Sequence, residues 1–168
     1  KTCDVPNKER REDRQISRLL VQVQKEITRE KNRIRKFFDF HGYAEDFKPG
    51  AWTEEDYQHA REAELPDMLK IARDTYFDIL DKLKEVRKTL HKKVMEFAKK
   101  DCYKRAVEII SSAPGVGRLT AIRLVLEWGE HLGTRFPTGA ALACFSGLTQ
   151  SEYSTGETVR KGRITGIG

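Results

Sequence analysis

Hydroxyl side chains gather near the carboxyl end of the sequence, where three cations follow them. Ser151, Ser154 and Thr155 lie close together, ahead of Arg160, Lys161 and Arg163. The whole segment 149–168 is rich in Ser, Thr and Gly, which predicts a loop or a hairpin. A hydroxyl can attack phosphorus once its proton is removed, and cations can stabilise the negative charge that develops. The pattern predicts either a phosphate-binding loop or a serine nucleophile beside a scissile phosphate. A plain surface loop is the alternative, because no nearby histidine supplies an evident base.

A turn bracketed by two glycines lies upstream, in Pro114-Gly115-Val116-Gly117. The segment 110–121 around it resembles the helix-hairpin-helix of DNA-repair and recombination proteins. Glycines let the backbone turn tightly and approach a phosphate closely, while the next helix points its free amides at that phosphate. We expect Val116 to pack inward and Ala121 to keep the two helices close, although an ordinary helical corner is the alternative. The residues predicted to contact nucleic acid are Gly115, Val116, Gly117, Arg118 and Thr120.

A long basic helix is predicted at the other end of the sequence. Apolar residues recur at helical spacing over about 9–40, and Gly42 is placed to end the helix. Between Lys8 and Lys36 there are eleven Lys or Arg against five Asp or Glu. Such a surplus favours a polyanionic partner, whereas an ordinary solvated helix face is the alternative. The basic residues include Arg10, Arg14 and Arg18. The predicted nucleic-acid contacts are Arg29, Arg33 and Lys36.

A second long helix is predicted over about 67–100, where apolar residues alternate steps of three and four. Heptads of this kind favour a coiled coil, either antiparallel with the first helix or with another chain. An ordinary long helix in a bundle is the alternative. The connector at about 43–66 is acidic, and Thr53 predicts the capped start of a short helix over 54–64.

Composition bounds the fold and the class of partner. The chain has 168 residues, of which 38% are hydrophobic and 35% charged, with a net charge of +6. We predict a mainly α fold, in which a long helical coiled-coil arm (1–105) precedes a small helix-hairpin-helix-containing domain (106–168) that is truncated at its end. The three cysteines and four histidines follow no metal-ligand spacing. No apolar run reaches the length of a membrane span, so no membrane partner is expected.

Six segments, taken in order, resemble the insertion-sequence-110 family of bacterial transposases, which is related to the Piv-type DNA invertases. They are residues 3–18, 31–42, 112–130, 135–136, 142–157 and 162–168. The hairpin, the Arg-Phe pair, the Gly-Leu pair and the Ser-Thr-Gly run appear in one order at family-like spacing. Gln150 stands where many relatives place proline.

The resemblance implies a recombinase that excises and inserts a mobile element, guided in studied relatives by an element-encoded RNA. It implies a serine that attacks DNA and becomes covalently linked to it. Ser154 is the matching position, with Thr155 and Ser151 as alternatives. It further implies a RuvC-like domain upstream of Lys1, whose acidic tetrad binds Mg²⁺. This sequence is then expected to be a fragment that has no cofactor of its own and that binds nucleic acid but does not transfer strands.

The resemblance also implies a bacterial protein of the cytoplasm, at the nucleoid, that forms a homodimer or higher oligomer through its coiled coil. Two other functions remain open. The chain could be a non-catalytic helix-hairpin-helix DNA-binding module of a repair or recombination protein, in which Gly115 and Gly117 matter and Ser154 does not. It could also be a coiled-coil interaction protein, without salt-dependent affinity for nucleic acid.

Overall fold

Helices make up most of the structure, a computed structural model that describes residues 6–43, 45, 47, 52–129, 132–156 and 158–164. The predicted mainly α fold is confirmed. In chain order, the elements are α1 (Lys8–Phe40), α2 (Glu54–Glu62), α3 (Asp67–Phe97), α4 (Asp101–Ser111), α5 (Arg118–Trp128), α6 (Leu132–Arg135), α7 (Gly139–Phe145), β1 (Gln150–Glu152) and β2 (Lys161–Ile164). Cys3 and residues 165–168, the end of the predicted segment 162–168, lie outside the described residues.

The two long helices, α1 and α3, pack antiparallel against each other within one chain. Phe37 near the end of α1 contacts Tyr76 near the start of α3, with ring centroids 5.7 Å apart. At the opposite end, the Nζ of Lys100 donates to the carboxylate of Asp13 at 2.7 Å. Each helix turns an apolar stripe toward the other, as the spacing of their apolar residues predicts. The buried residues of this seam include Val23, Ile27, Ile34, Phe77 and Leu80.

An aromatic cluster closes the end of this helical hairpin where the connector crosses over. Phe38 is fully buried there, and the rings of Phe47 and Trp52 stack with centroids 4.2 Å apart. The predicted capped start of α2 is confirmed by a capping box. The backbone amide of Thr53 donates to the Asp56 carboxylate at 2.7 Å, and the Asp56 amide donates to the Thr53 hydroxyl. The two reciprocal bonds satisfy amides that the helix itself leaves free.

The other end of the hairpin shares one core with α4 and α5. Buried side chains of both long helices meet those of the two shorter helices there, among them Leu20, Val94, Phe97, Tyr103, Val107, Ile122 and Val125. Residue 105 lies inside α4. The division into an arm (1–105) and a small domain (106–168) therefore stays a prediction, with its boundary placed within a helix of this shared core.

A carboxylate sits in the apolar seam of the arm, at Glu30, which is 1% exposed. One of its oxygens accepts a hydrogen bond from Arg33 at 2.6 Å, while Oε1 has no hydrogen-bond partner among the described residues. The side chain of Arg33 is 60% exposed. If Glu30 is removed, the Arg33 guanidinium can therefore be solvated by water. If Arg33 is removed, the Glu30 carboxylate stays buried without a cation beside it.

We expect Glu30→Met to raise the free energy of unfolding by about 1 to 4 kcal/mol, since an apolar side chain replaces an incompletely satisfied buried charge. The matched variant Arg33→Met should lower it by about 3 to 5 kcal/mol, because it leaves the buried carboxylate unpaired. Urea unfolding of both variants measures the two effects. A Glu30→Met protein less stable than the wild type contradicts this account of the seam.

Candidate nucleic-acid interface and hydroxyl hairpin

The glycine-bracketed turn joins α4 to α5 over the residues that the sequence predicted. Gly115 has a φ of +81°, a conformation that favours glycine. Gly117 differs, because it precedes α5 with a φ of −72° and a ψ of 161°, which any residue can adopt. A Cβ at Gly117 would meet no atom within 4 Å. Neither packing nor backbone conformation therefore requires glycine at position 117.

The start of α5 is open to a ligand. No side chain caps it, and the amides of its first turn have no partner within the helix. Arg118 and Thr120 are exposed beside these amides. Val116 packs against the core and Ala121 is fully buried. The turn is thus anchored from inside while its amides and flanking polar side chains face outward.

The start of α1 is bound to the end of α5, so the first arginines of the basic helix have partners within the chain. Arg10 is buried, and its Nε donates to the carbonyl oxygen of Leu126 at 3.2 Å. Cations stabilise the carbonyl end of a helix in this way. Gly129 fits the contact, since its φ is +100° and a Cβ there would lie 3.0 Å from the Arg10 guanidinium.

Glu127 completes this junction as the partner of two further arginines of α1. Arg14 and Arg18 both donate to its carboxylate, and Arg18 donates to both carboxylate oxygens at 2.8 Å. Burial alone raises the pKa of Glu127, but the hydrogen bonds and charges of the two arginines outweigh it and hold the pKa below the usual range. The junction is therefore fully charged at neutral pH and has a structural role.

The three arm residues predicted to contact nucleic acid are all exposed on α1, beyond this junction. Arg29 is paired with Glu26 and Arg33 with Glu30, each one helical turn apart. Lys36 has no acidic partner among the described residues. Exposed ion pairs of this kind are weak, so the Arg29 pair can open toward a phosphate at little cost. Arg33 is bound to a buried carboxylate and is the least available of the three.

The hydroxyl-rich segment forms an antiparallel hairpin, one of the two forms that the sequence left open. Gln150 lies opposite Ile164, and Glu152 lies opposite Lys161. Thr155 and Thr158 pair in an isolated bridge near the turn. The predicted cations Arg160, Lys161 and Arg163 are all exposed. The hairpin thus brings hydroxyls and cations onto one small surface element.

The three candidate hydroxyls have different surroundings in this hairpin. The Oγ of Ser154 donates to a carboxylate oxygen of Glu152 at 2.5 Å. The Oγ of Ser151 instead donates to the main-chain carbonyl of Arg163 at 3.2 Å. Thr155 is held through its backbone, which bonds to Thr158. Ser154 is therefore the hydroxyl of the three that faces a possible proton acceptor.

Glu152 was missed by the sequence reasoning, which looked for a histidine as the base. Residues two apart in an extended chain project to the same side, so Glu152 and Ser154 can meet once the segment is extended. Directly opposite residues of an antiparallel pair also share a side, which places Lys161 next to Glu152. The pairing is irregular between Gln150 and Glu152, so strand alternation does not place Arg163 on this side. One side of the hairpin thus carries a hydroxyl, a carboxylate and one cation.

The described residues do not fit the magnesium ion that the resemblance implies. Nowhere in the described ranges do three or more His, Cys, Asp or Glu side chains come together in a way that could hold a metal ion. The magnesium ion therefore stays an expectation from the resemblance alone. A separate finding concerns membranes, because no described helix has the length and apolar character needed to cross a bilayer.

The structure is that of a mainly α protein with a surface suited to phosphate groups. Its features are a basic helical hairpin, a glycine-bracketed turn with an open helix start, and an exposed hydroxyl hairpin. Residues 107–168 match the model of the Transposase IS116/IS110/IS902 family. This segment is similar to that transposase family, which is the family that the resemblance named. Comparison with curated proteins and with solved structures finds no match.

Proposed function

We propose that this chain binds DNA in a transposition reaction and supplies the serine hydroxyl that attacks a DNA phosphodiester. The observation that carries the proposal is the hydrogen bond from Ser154 to the Glu152 carboxylate, at 2.5 Å, on an exposed hairpin. A hydroxyl is a weak nucleophile unless an adjacent base can take its proton, and this pair supplies both groups. The match of the surrounding segment to a transposase family supports this reaction class.

The proposed step is a transesterification at phosphorus. The Oγ of Ser154 forms a bond to the phosphorus atom while its proton passes to Glu152. The bond from phosphorus to one sugar oxygen breaks, and that oxygen leaves as a hydroxyl after taking a proton from solvent. Lys161 stabilises the charge on the non-bridging oxygens. Strand exchange then requires a sugar hydroxyl to attack the serine ester and release Ser154.

The start of α5 is proposed to hold a backbone phosphate of duplex DNA. Its free amides and the positive end of the helix dipole favour an anion there. Gly117 lets the backbone approach, while Arg118 and Thr120 are placed to add side-chain contacts. Contacts of this type position a strand without reading its sequence. On the arm, Lys36 and Arg29 are proposed to extend the phosphate track, with a smaller part for Arg33.

Two partners are proposed from the family. One is an element-encoded guide RNA, which would supply the sequence recognition that backbone contacts lack. The other is a second copy of the chain, in a homodimer or higher oligomer that works at the bacterial nucleoid. Because α1 already pairs with α3 within the chain, a partner copy must use the outer side of the arm. Ile71, Ile79 and Val86 are exposed there on α3 and are available for such a contact.

The second candidate function is a non-catalytic DNA-binding module. The open start of α5 favours it, because a phosphate could be held there without any use of the hairpin. The two functions differ in whether the protein becomes covalently attached to DNA.

A test incubates the whole protein with labelled duplex DNA and Mg²⁺, and then denatures the mixture. We expect the labelled DNA to stay attached to the denatured protein, since a serine ester of phosphate is a covalent link. Salt-sensitive binding without such an adduct contradicts the nucleophile and supports the module. Absence of both contradicts every DNA-handling function considered for this chain.

A further inference from the structure

A groove with cationic walls and an apolar floor lies where α1, α3 and the first half of α5 meet. Its volume is about 740 Å³. The floor contains Leu20, Val21 and Leu119. Five basic side chains line its walls, namely Lys25, Lys84, Arg87, Lys88 and Arg123. The groove is separate from the hydroxyl hairpin and from the glycine-bracketed turn.

Most of the positive charge in this groove is uncompensated. Lys84 is bound to Glu54 at 2.7 Å, and the one acidic residue of the lining, Glu85, accepts from Lys82 at 3.1 Å. Among the described residues, Arg87 donates only to the neutral amide oxygen of Gln24, at 3.4 Å. The cations left without an acidic partner among the described residues are Lys25, Arg87, Lys88 and Arg123.

The combination of walls and floor selects the class of ligand. Four unpaired cations along a concave wall favour a chain of phosphates over a single small anion. An apolar floor beneath them suits the face of an unpaired base, as in grooves that bind single strands. The volume is that of a pocket for a small organic molecule, which admits individual nucleotides but not a duplex. The chemistry therefore points to an unpaired polynucleotide.

The position of the groove fits the proposed DNA contact at the turn. Leu119 and Arg123 lie on α5, whose open start is at Arg118. A strand that separates from a duplex held at that start can enter the groove within about one turn of helix. The long helices then provide a rigid wall on its far side.

We propose that this groove binds an unpaired polynucleotide strand, with phosphates on Lys25, Arg87, Lys88 and Arg123 and a base over Leu119 and Leu20. The inference deepens the proposed function and rests on it for the presence of nucleic acid. It adds a second site to the proposal. The groove binds single strands, whereas the start of α5 binds a duplex. Single-stranded RNA and a displaced DNA strand share this chemistry.

The test compares two triple variants that remove the same charge. The groove variant is Arg87→Gln, Lys88→Gln and Arg123→Gln. The control variant is Lys92→Gln, Lys99→Gln and Lys104→Gln, three exposed residues outside the groove. Fluorescence anisotropy with labelled single-stranded RNA, single-stranded DNA and duplex DNA gives the affinities over a range of salt, and thermal unfolding checks that both variants fold.

We expect the groove variant to lose on the order of tenfold to a hundredfold in single-strand affinity, with its salt slope reduced by about 2, since each lost contact contributes about 0.7. The control variant should bind as the wild type does. The measurements with single-stranded RNA and with single-stranded DNA show which kind of strand the groove prefers. A loss of affinity for either strand supports the site.

Equal losses for duplex and single strand, or equal losses in the two variants, overturn the inference. If the groove variant does not fold, Arg123→Gln alone carries the test by the same criteria. If the protein binds single strands through the groove but binds no duplex, the groove is supported and the proposed duplex site is contradicted. If it binds duplex but no single strand, the duplex site is supported and the groove is contradicted.

Discussion

Ser154→Ala should abolish the covalent protein–DNA adduct of the whole protein while leaving its noncovalent affinity for DNA unchanged. The hydroxyl it removes is the one that donates to the Glu152 carboxylate. The matched controls are Ser151→Ala and Thr155→Val, which delete the neighbouring hydroxyls and should retain the adduct. Ser151 donates to a main-chain carbonyl, so its loss is expected to loosen the hairpin only slightly. An adduct that persists in Ser154→Ala contradicts the assignment.

Glu152→Gln separates the base from the nucleophile in the same assay. The amide keeps the size of the side chain but cannot take the serine proton. Removal of a general base lowers rates by about 10²- to 10⁴-fold, and we expect the rate of adduct formation to fall within that range. Affinity for DNA should not fall, since a negative charge near the phosphate is lost. An unchanged rate would show that Glu152 only orients the hairpin.

Gly117→Ala should weaken binding to duplex DNA by on the order of tenfold to a hundredfold, the effect of losing a hydrogen bond to a charged group. Stability should not fall, because the backbone at Gly117 suits any residue and a Cβ meets no atom within 4 Å. The expected loss comes only from the closer approach that glycine gives a phosphate. Anisotropy with duplex DNA and urea unfolding measure the two quantities.

The matched variant for this prediction is Gly115→Ala, at the other glycine of the turn. Its φ of +81° costs a residue with a Cβ about 1 to 2 kcal/mol, so the free energy of unfolding should fall. The two glycines thus separate a contribution to the fold from a contribution to binding. Wild-type duplex affinity in Gly117→Ala contradicts a phosphate site at the start of α5.

The helices could be predicted from the sequence because their causes are local. The apolar spacing over 9–40 and 67–100 gave the two long helices with ends close to those observed, and Thr53 marked the start of α2. Gly115 marked the turn, since its positive φ excludes most other residues. Each of these features depends on residues within a few positions of one another, which a pattern can reveal.

The role of the first arginines could not be predicted in the same way. Arg10 and Arg18 look like Arg29 in the sequence, because all belong to a basic amphipathic helix. They differ only in what lies opposite them, and their partners on α5 are more than a hundred positions away. The groove between α1, α3 and α5 could not be predicted for the same reason, since no local pattern brings these three helices together.

Glu152 is an intermediate case. The residue is two positions from Ser154, and their contact needs only that the chain be extended there. The sequence left loop and hairpin open for this segment, and in an irregular loop the same spacing says nothing about direction. The base therefore becomes visible only when this segment is known to be extended.

The most direct measurement of the central claim is the identity of the residue that carries DNA. The adduct formed by the wild-type protein is digested with protease and nuclease, and the modified peptide is sequenced by mass spectrometry. The account predicts a nucleotide esterified to Ser154, in a peptide that contains Glu152. Attachment to Ser151, Thr155 or Tyr153, or to a residue outside the hairpin, contradicts it.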